Sequence, residues 1–520
     1  MKHLFLIFFS LLFQVSYAQS PVTGNPADLP FTLELEETTQ DELPGFHSCA
    51  FAQWEGWWVI VGGRVGGLHG FFPITGFPEN EANTAIWIID PVTGSSHNFP
   101  IDVLTVPFPD QLKSTNPQFA QDGSRLFIAG GYGKQASSGN FITFPVLTAI
   151  QLPELVAALQ TNTNPSTHIR QIEAPDMRVC GGEMEKMGDY FYLVGGHDFT
   201  GKYSDPNNGS FVQSYTNEIR KFKINSSPNS LSISDYTAIH DDQNLHRRDF
   251  TLAPTVTPGG ANGLGLYGGV FRPNEALPYY HPVYISENQP IDLDEQYEQL
   301  FSQYTCPTVP IFDAFDQSMY TLFFGGLSVH YVDQSTQSIQ FDERVPFIKD
   351  ITTFHRAANG ASKEYVMPIR FDALLGTNMI FAFSEAAPHY SNEVFKLREM
   401  TGRTFVGYLF GGIKAEIPNI TPSSASDRMF KVFITPRVSS GAFNLASDDP
   451  TFHIYPNPFS SGDRLTIEGN ADMKQLELYD TNGRRHASGN NVEEALQLLP
   501  SGVYYLKING KAGKMVVKRD

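Results

Sequence analysis

Cysteine is scarce. The 520-residue chain holds three, Cys49, Cys180 and Cys306, and so small and odd a set excludes the disulfide framework of a small secreted domain. Stability must come from packing, for which 41% hydrophobic and 13% aromatic residues supply the material. Positive charge is also short, with 36 Lys and Arg against 55 Asp and Glu and a net charge of -19. A body of that sign repels phosphate backbones, which sets nucleic acid aside as a partner. The deficit is uneven: residues 451–520 carry nine Lys and Arg against eight Asp and Glu, so the acidity lies upstream. Long apolar runs are missing after the start. There, LFLIFFSLLF follows Lys2 and precedes Ser16, Tyr17 and Ala18, the pattern of a cleaved export signal over residues 1–18. No later stretch approaches the roughly 20 apolar residues of a membrane helix, so no span is expected in the mature protein. Catalytic signatures are absent as well: there is no His-Glu-x-x-His, P-loop, nucleophile elbow or calcium loop. No cofactor, no metal and no catalytic residue is called for, and the sequence reads more as a binding protein than as an enzyme.

What is present is a recurring glycine pair at the end of an apolar run. WWVIVGG, RLFIAGG, DYFYLVGG, LGLYGG, YTLFFGG and VGYLFGG end on Gly63, Gly131, Gly196, Gly269, Gly326 and Gly412, at intervals of 68, 65, 73, 57 and 86 residues. Before each pair comes a short lead-in (HSCAFAQ, NPQFA, RVCGGEM, RDFTLAP, TCPTVPIFD). After it come a polar loop and a third strand, clearest in TAIWIIDPVTG and NEIRKFKI. Four antiparallel strands per unit, six times over, predict an all-β, six-bladed propeller. The units resemble Kelch repeats, with apolar residues leading into Gly-Gly and an aromatic further on, as Trp87 stands in the first. The resemblance covers about 400 residues and implies long inserted loops, since the intervals exceed the roughly 50 residues of that repeat. The longest interval holds MIFAFSEAAPHYSNEVFKL, read as a strand and inserted loop of the sixth blade, with a degenerate seventh blade as the alternative. FTLELEE, Phe31 to Glu37, alternates as a half-buried strand does and is the expected donor that completes the sixth blade beside RMFKVFITP.

The expected domains are a signal at 1–18, a Pro-rich lead-in at 19–30, the propeller at 31–436, a linker at 437–450 and a small β-sandwich at 451–520. The last contains FHIYPNPF, RLTIEG, KQLELYDTNGRR and SGVYYLKINGKAGKMVVKRD. It strongly resembles the Por-type C-terminal sorting domain of type IX secretion substrates. The match lies at Pro456-Asn457-Pro458, Gly502, Tyr504, Leu506 and Val516-Val517. The resemblance implies passage through the type IX machinery of a Bacteroidota-type bacterium, to the cell surface or the medium.

In a Kelch-like unit the lead-in and the loop after Gly-Gly share one face. Pooling them gives His47, Arg64, His69, Lys113, Tyr132, Arg178, His197, Asp198, His246, Arg247, Arg248 and Arg272 as candidate ligand-binding residues. Basic groups beside aromatics suit an anionic or polyhydroxylated ligand, so the expected partner is a glycan or a protein. A carbohydrate-modifying enzyme of the acidic-sugar isomerase or epimerase kind would use the same face. A purely structural surface module would use the propeller edges. Arg residues at these positions also serve as ordinary structural groups, and the three cysteines read as small buried fillers too far apart to share a metal.

Overall fold

The computed structural model describes residues 23–437 apart from 39–42, 73–74, 204–210, 228, 288, 290 and 420–421. Beyond the linker it describes 452–455, 459–460, 463–469, 476–480, 485–500, 502–508 and 515–519. The fold is all-β, with two short α-helices among the described residues.

Six antiparallel sheets follow one another along the chain, each built on four strands. Their first strands are Ala50–Trp54, Gln118–Asp122, Glu183–Met187, Thr251–Val256, Thr308–Asp313 and Leu374–Phe383. Each first strand hydrogen-bonds the strand that carries the glycine pair at its end, and that strand bonds a third. Phe31–Thr38 supplies the fourth strand of the sixth sheet, pairing antiparallel with Met429–Pro436 from Phe31 opposite Pro436 to Thr38 opposite Met429. The sixth sheet is thus completed by a strand from near the start of the described residues. Residues 384–403, between its first and second strands, form an insertion whose Phe395–Lys396 runs parallel to Ile311 and Phe312 of the fifth sheet.

The glycine pairs join the sheets. All twelve glycines have positive φ, from +53° to +89°, a region a side chain rarely adopts. The second glycine of five pairs also donates its N–H to the next lead-in: Gly63 to Ser114 O (2.8 Å), Gly131 to Val179 O (2.9 Å), Gly196 to Arg247 O (2.8 Å), Gly326 to Leu375 O (3.1 Å) and Gly412 to Phe46 O (2.8 Å). The last of these leads from the sixth sheet back to the first. At Gly411 the approach is so close that a Cβ would lie 2.5 Å from Phe46 O. Apolar clusters fill the spaces between neighbouring sheets. The helix Leu152–Gln160 turns Leu152, Leu155, Val156 and Leu159 onto the first and second sheets, the i, i+3, i+4, i+7 spacing of one helix face.

One residue just before each first strand, or within it in the sixth sheet, also shares a conformation. Ser48, Asn116, Gly181, Asp249, Thr305 and Asn378 all have φ between +49° and +63°. They are linked backbone to backbone: Asn116 N–H donates to Ser48 O (3.0 Å), Gly181 to Asn116 O (3.2 Å), Asp249 to Gly181 O (2.8 Å) and Asn378 to Thr305 O. These six residues and the six first strands line a single cavity of about 680 Å³.

After the linker, Phe459–Ser460, Met515–Arg519, Gly502–Ile508, Leu476–Asp480 and Arg485–Ser488 form a five-stranded sheet in that order, and Phe452–Tyr455 pairs with Thr466–Gly469. The helix Val492–Leu498 lays Val492 and Leu496 against Leu476, Leu478, Tyr504 and Leu506.

Candidate functional site

The loops after the glycine pairs lie together and are more structured than their polar composition suggests. Those of the second, third and fifth sheets form hairpins, Tyr132–Lys134 with Phe141–Thr143, His197–Gly201 with Phe211–Tyr215, and His330–Asp333 with Ser338–Phe341. The first two are stitched by Thr143, whose Oγ1 donates to Phe199 O (2.9 Å) and accepts from Phe199 N–H (2.8 Å). The loop after Gly63 spreads across neighbours instead of rising from its own sheet. Leu68 N–H donates to Ser423 Oγ of the sixth sheet (3.0 Å), and His69 stacks on Phe77 (4.0 Å) and on Tyr203 of the third (5.3 Å).

Most of the sequence-derived candidates are engaged locally. Arg64, 4% exposed, pairs with Glu81 (2.8 Å) and donates to Pro78 O. Lys113 pairs with Asp102 (2.8 Å) and Asp110 (3.1 Å). Arg247, 1% exposed, is held by Asn244 O, Gly268 O and His281 O and stacks 4.1 Å over Tyr279. Arg248 pairs with Asp249 and donates to Tyr215 Oη (3.1 Å). Arg272 pairs with Glu275 (2.6 Å). Arg178 is exposed, and its charge opposes the upward push that burial gives the Asp198 carboxyl.

The histidines are neutral at neutral pH. Burial, aided by the Arg64 charge, lowers His47 to about 3, and its ring hydrogen-bonds Ser48 Oγ and Gly66 O. Burial lowers His69 to about 4. His197 is held well below its ordinary value by burial and then by Arg248, and burial also lowers His246. Three of the candidates gather around one ring: Tyr215 lies 3.8 Å from His246, 5.7 Å from His197 and in hydrogen-bond contact with Arg248.

A second gathering encloses space. Arg64, Lys113 and Tyr132 line a pocket of about 400 Å³ between the loops of the first and second sheets, with Phe77, Glu79, Asp110, Lys134 and Phe141. Tyr132 Oη donates to Gly201 O, which fixes the ring as a wall. Lys134 pairs with Glu79 across the rim (2.8 Å), and Lys202 sits 4.2 Å over Phe141. Sequence reasoning missed Phe77, Lys134 and Phe141. Phe77 stands in the glycine-rich loop singled out above, but nothing in the spacing of Lys134 and Phe141 announces a hairpin whose two strands face the same pocket. The cysteines, each in a lead-in, are buried and unpaired; burial raises their thiols to about 12, so they are inert.

In the C-terminal unit, Tyr504 and Leu506 are buried, and Tyr504 Oη donates to Pro500 O (2.8 Å). Gly502 opens their strand, and Val516 and Val517 lie on the strand beside it. Pro456-Asn457-Pro458, the signal at 1–18 and most of the linker lie outside the described residues.

Residues 453–519 match the model of the secretion system C-terminal sorting domain. The chain is exported by type IX secretion. That domain marks proteins delivered to the cell surface or the extracellular space, and it implies contact with the type IX machinery. Among the described residues no helix is long and apolar enough to cross a membrane. No curated protein matches the chain. A solved structure described as "Structure of YjhT" is similar at 12% identity and a TM-score of 0.39, over 73% of this chain and 94% of that one.

Proposed function

We propose that residues 31–436 form a six-bladed propeller of the Kelch type and that the exported protein is a glycan-binding module, recognising its ligand through the loops after the glycine pairs. The blade reading is supported by the six successive four-stranded sheets and by the Gly412 to Phe46 bond that brings the sixth back to the first. The observation that carries the glycan reading is the pocket walled by Phe77, Tyr132 and Phe141 and rimmed by Lys113, Asp110, Lys134 and Glu79. Aromatic rings take the C–H faces of a sugar, and paired ammonium and carboxylate groups keep spare donors and lone pairs for its hydroxyls. Because those charges already neutralise one another, the pocket suits a neutral sugar better than an acidic one.

The enzyme alternative draws on the Arg and His pool of the same face, and of that pool Arg64, Arg248 and Arg272 each pair with a carboxylate of this chain. No observation favours that reading over binding.

Retention of the full chain on immobilised neutral and acidic glycans tests the proposal. Phe141→Ala and Lys134→Ala, both at incompletely buried positions, are expected to weaken retention at least about tenfold with an unchanged melting temperature. Arg64→Ala is expected to act differently, lowering stability by about 2–3 kcal/mol because it strips a partner from a largely buried pair. Retention of no glycan, or undiminished retention by both pocket variants, would refute the reading.

A further inference from the structure

The cavity lined by the six left-handed residues and the first strands has walls of uneven chemistry. On the first, second and sixth sheets it is lined by Phe51, Phe119, Phe381 and Phe383. On the third sheet it is lined by Glu183 and Glu185, two residues apart on one strand and therefore on the same face, about 6.6 Å apart along it. Glu393, brought in by the insertion between the first two strands of the sixth sheet, lies near enough to Glu185 for their charges to interact.

The carboxylates of this row are short of partners. Asp249 is paired with Arg248, and Lys186 is engaged by Asp122 (2.7 Å). Glu183 is half-buried on the cavity wall, and its carboxylate has no hydrogen-bond or ion-pair partner among the described residues. Enclosure, and then the Asp249 charge, push it up to about 8; enclosure, Glu393 and Glu183 push Glu185 well above the ordinary range. Carboxyls crowded this way resist ionisation until a cation enters beside them, and its charge then favours their ionised form.

Entry is open at the end away from the ring, where the lining residues Gln121, Asp122, Gly123, Gly188, Ser391 and Glu393 are exposed. None of the lining residues comes from the covering loop after Gly63. A bare metal ion does not fit: among the described residues no three His, Cys, Asp or Glu side chains stand close enough to share one. A row of separated carboxylates facing phenyl rings suits a flexible chain of methylenes carrying spaced ammonium groups. The methylenes cover the rings, and the ammonium groups take the carboxylates and the ring faces.

We infer that the central cavity binds a linear aliphatic polyamine, entering from the face of the short turns that follow the first strands. This site is separate from the glycan pocket, and neither reading depends on the other.

Calorimetric titration of the full chain with spermidine in about 0.15 M salt, where surface attraction is screened, tests it. One saturable site is expected. Glu183→Gln and Glu185→Gln should each weaken binding at least about tenfold, the double variant should abolish it, and Glu154→Gln on the exposed face of the helix should leave it unchanged. Absence of a saturable site would overturn the proposal. So would retention of affinity by the double variant, or displacement of spermidine by an equal concentration of Mg²⁺, either of which marks diffuse attraction to an acidic surface.

Discussion

Glu183 and Arg64 show how differently charge is handled within one sheet system. Arg64 enters the interior with Glu81 and a backbone carbonyl attached to one end of its guanidinium, so its burial is partly compensated. Glu183 enters with nothing attached, and its carboxyl is raised from 4.5 to about 8. A carboxyl whose pKa is higher folded than unfolded contributes stability that is complete below about pH 4.5 and disappears as pH rises through 8. Asp249, Glu185 and Glu393 face the same space and steepen that loss, while Lys186, held by Asp122, does not relieve it. Glu183→Gln does not titrate. Its melting temperature is therefore expected to gain on the wild type by about 2 °C between pH 5 and pH 9, read by thermal denaturation across that range; parallel curves would show that Glu183 is solvated like a surface residue. The sequence displayed this residue openly in RVCGGEMEKM, where two glutamates alternate on a strand. Alternation there looks like a solvated face, because nothing local reveals that the face borders an enclosed cavity. The ring of left-handed residues was hidden for the opposite reason. Ser48, Asn116, Gly181, Asp249, Thr305 and Asn378 share a φ but no chemistry, so no repeat of residue type betrays them.

At the scale of the element, the strand Phe31–Thr38 is the informative one. It was legible as a strand from its alternation, and its place beside Met429–Pro436 follows from the need to cover a free edge. Two kinds of force hold it. Outside, Arg403 pairs with Glu34 (2.9 Å) and Glu36 (2.5 Å), and Arg428 takes Glu37 through both oxygens. Inside, Phe31 and Leu33 are buried, and Phe31 meets Tyr320 of the fifth sheet edge-on at 5.5 Å. Solvent-exposed pairs contribute little, whereas a buried phenyl ring leaves a cavity when removed. Arg403→Ala is accordingly expected to leave stability nearly unchanged and Phe31→Ala to cost about 3 kcal/mol, compared by urea denaturation. A larger cost for Arg403→Ala would mean that the seam is electrostatic. The loops were less legible than the strands. The glycine-rich loop after Gly63 declared itself by composition, but its reach to Ser423 and Tyr203 depends on neighbours hundreds or scores of residues away in sequence. The segment Met379 to Leu397, read as a strand and inserted loop, holds the end of the strand Leu374–Phe383 and part of the insertion at 384–403, whose contact with the fifth sheet has no local signal.

For the whole molecule, repetition and destination were readable from the chain, because glycine pairs and a terminal sorting domain are written in contiguous residues. The composition of the candidate face was readable too, but its state was not. Cations pooled from four units suggested a basic surface, and the structure supplies most of them with carboxylates or carbonyls, leaving aromatic walls as the distinctive feature of the pocket that Arg64 and Lys113 line. The account therefore assigns the two faces different ligands, a neutral glycan at the loops and a polyamine in the central cavity. Hydrogen exchange of the full chain with and without a retained glycan separates the faces most directly. Protection is predicted at residues 75–84 and 132–143, which carry Phe77, Tyr132, Lys134 and Phe141. Protection confined to residues 183–187 and 391–393, or no protection beside measurable retention, would contradict it.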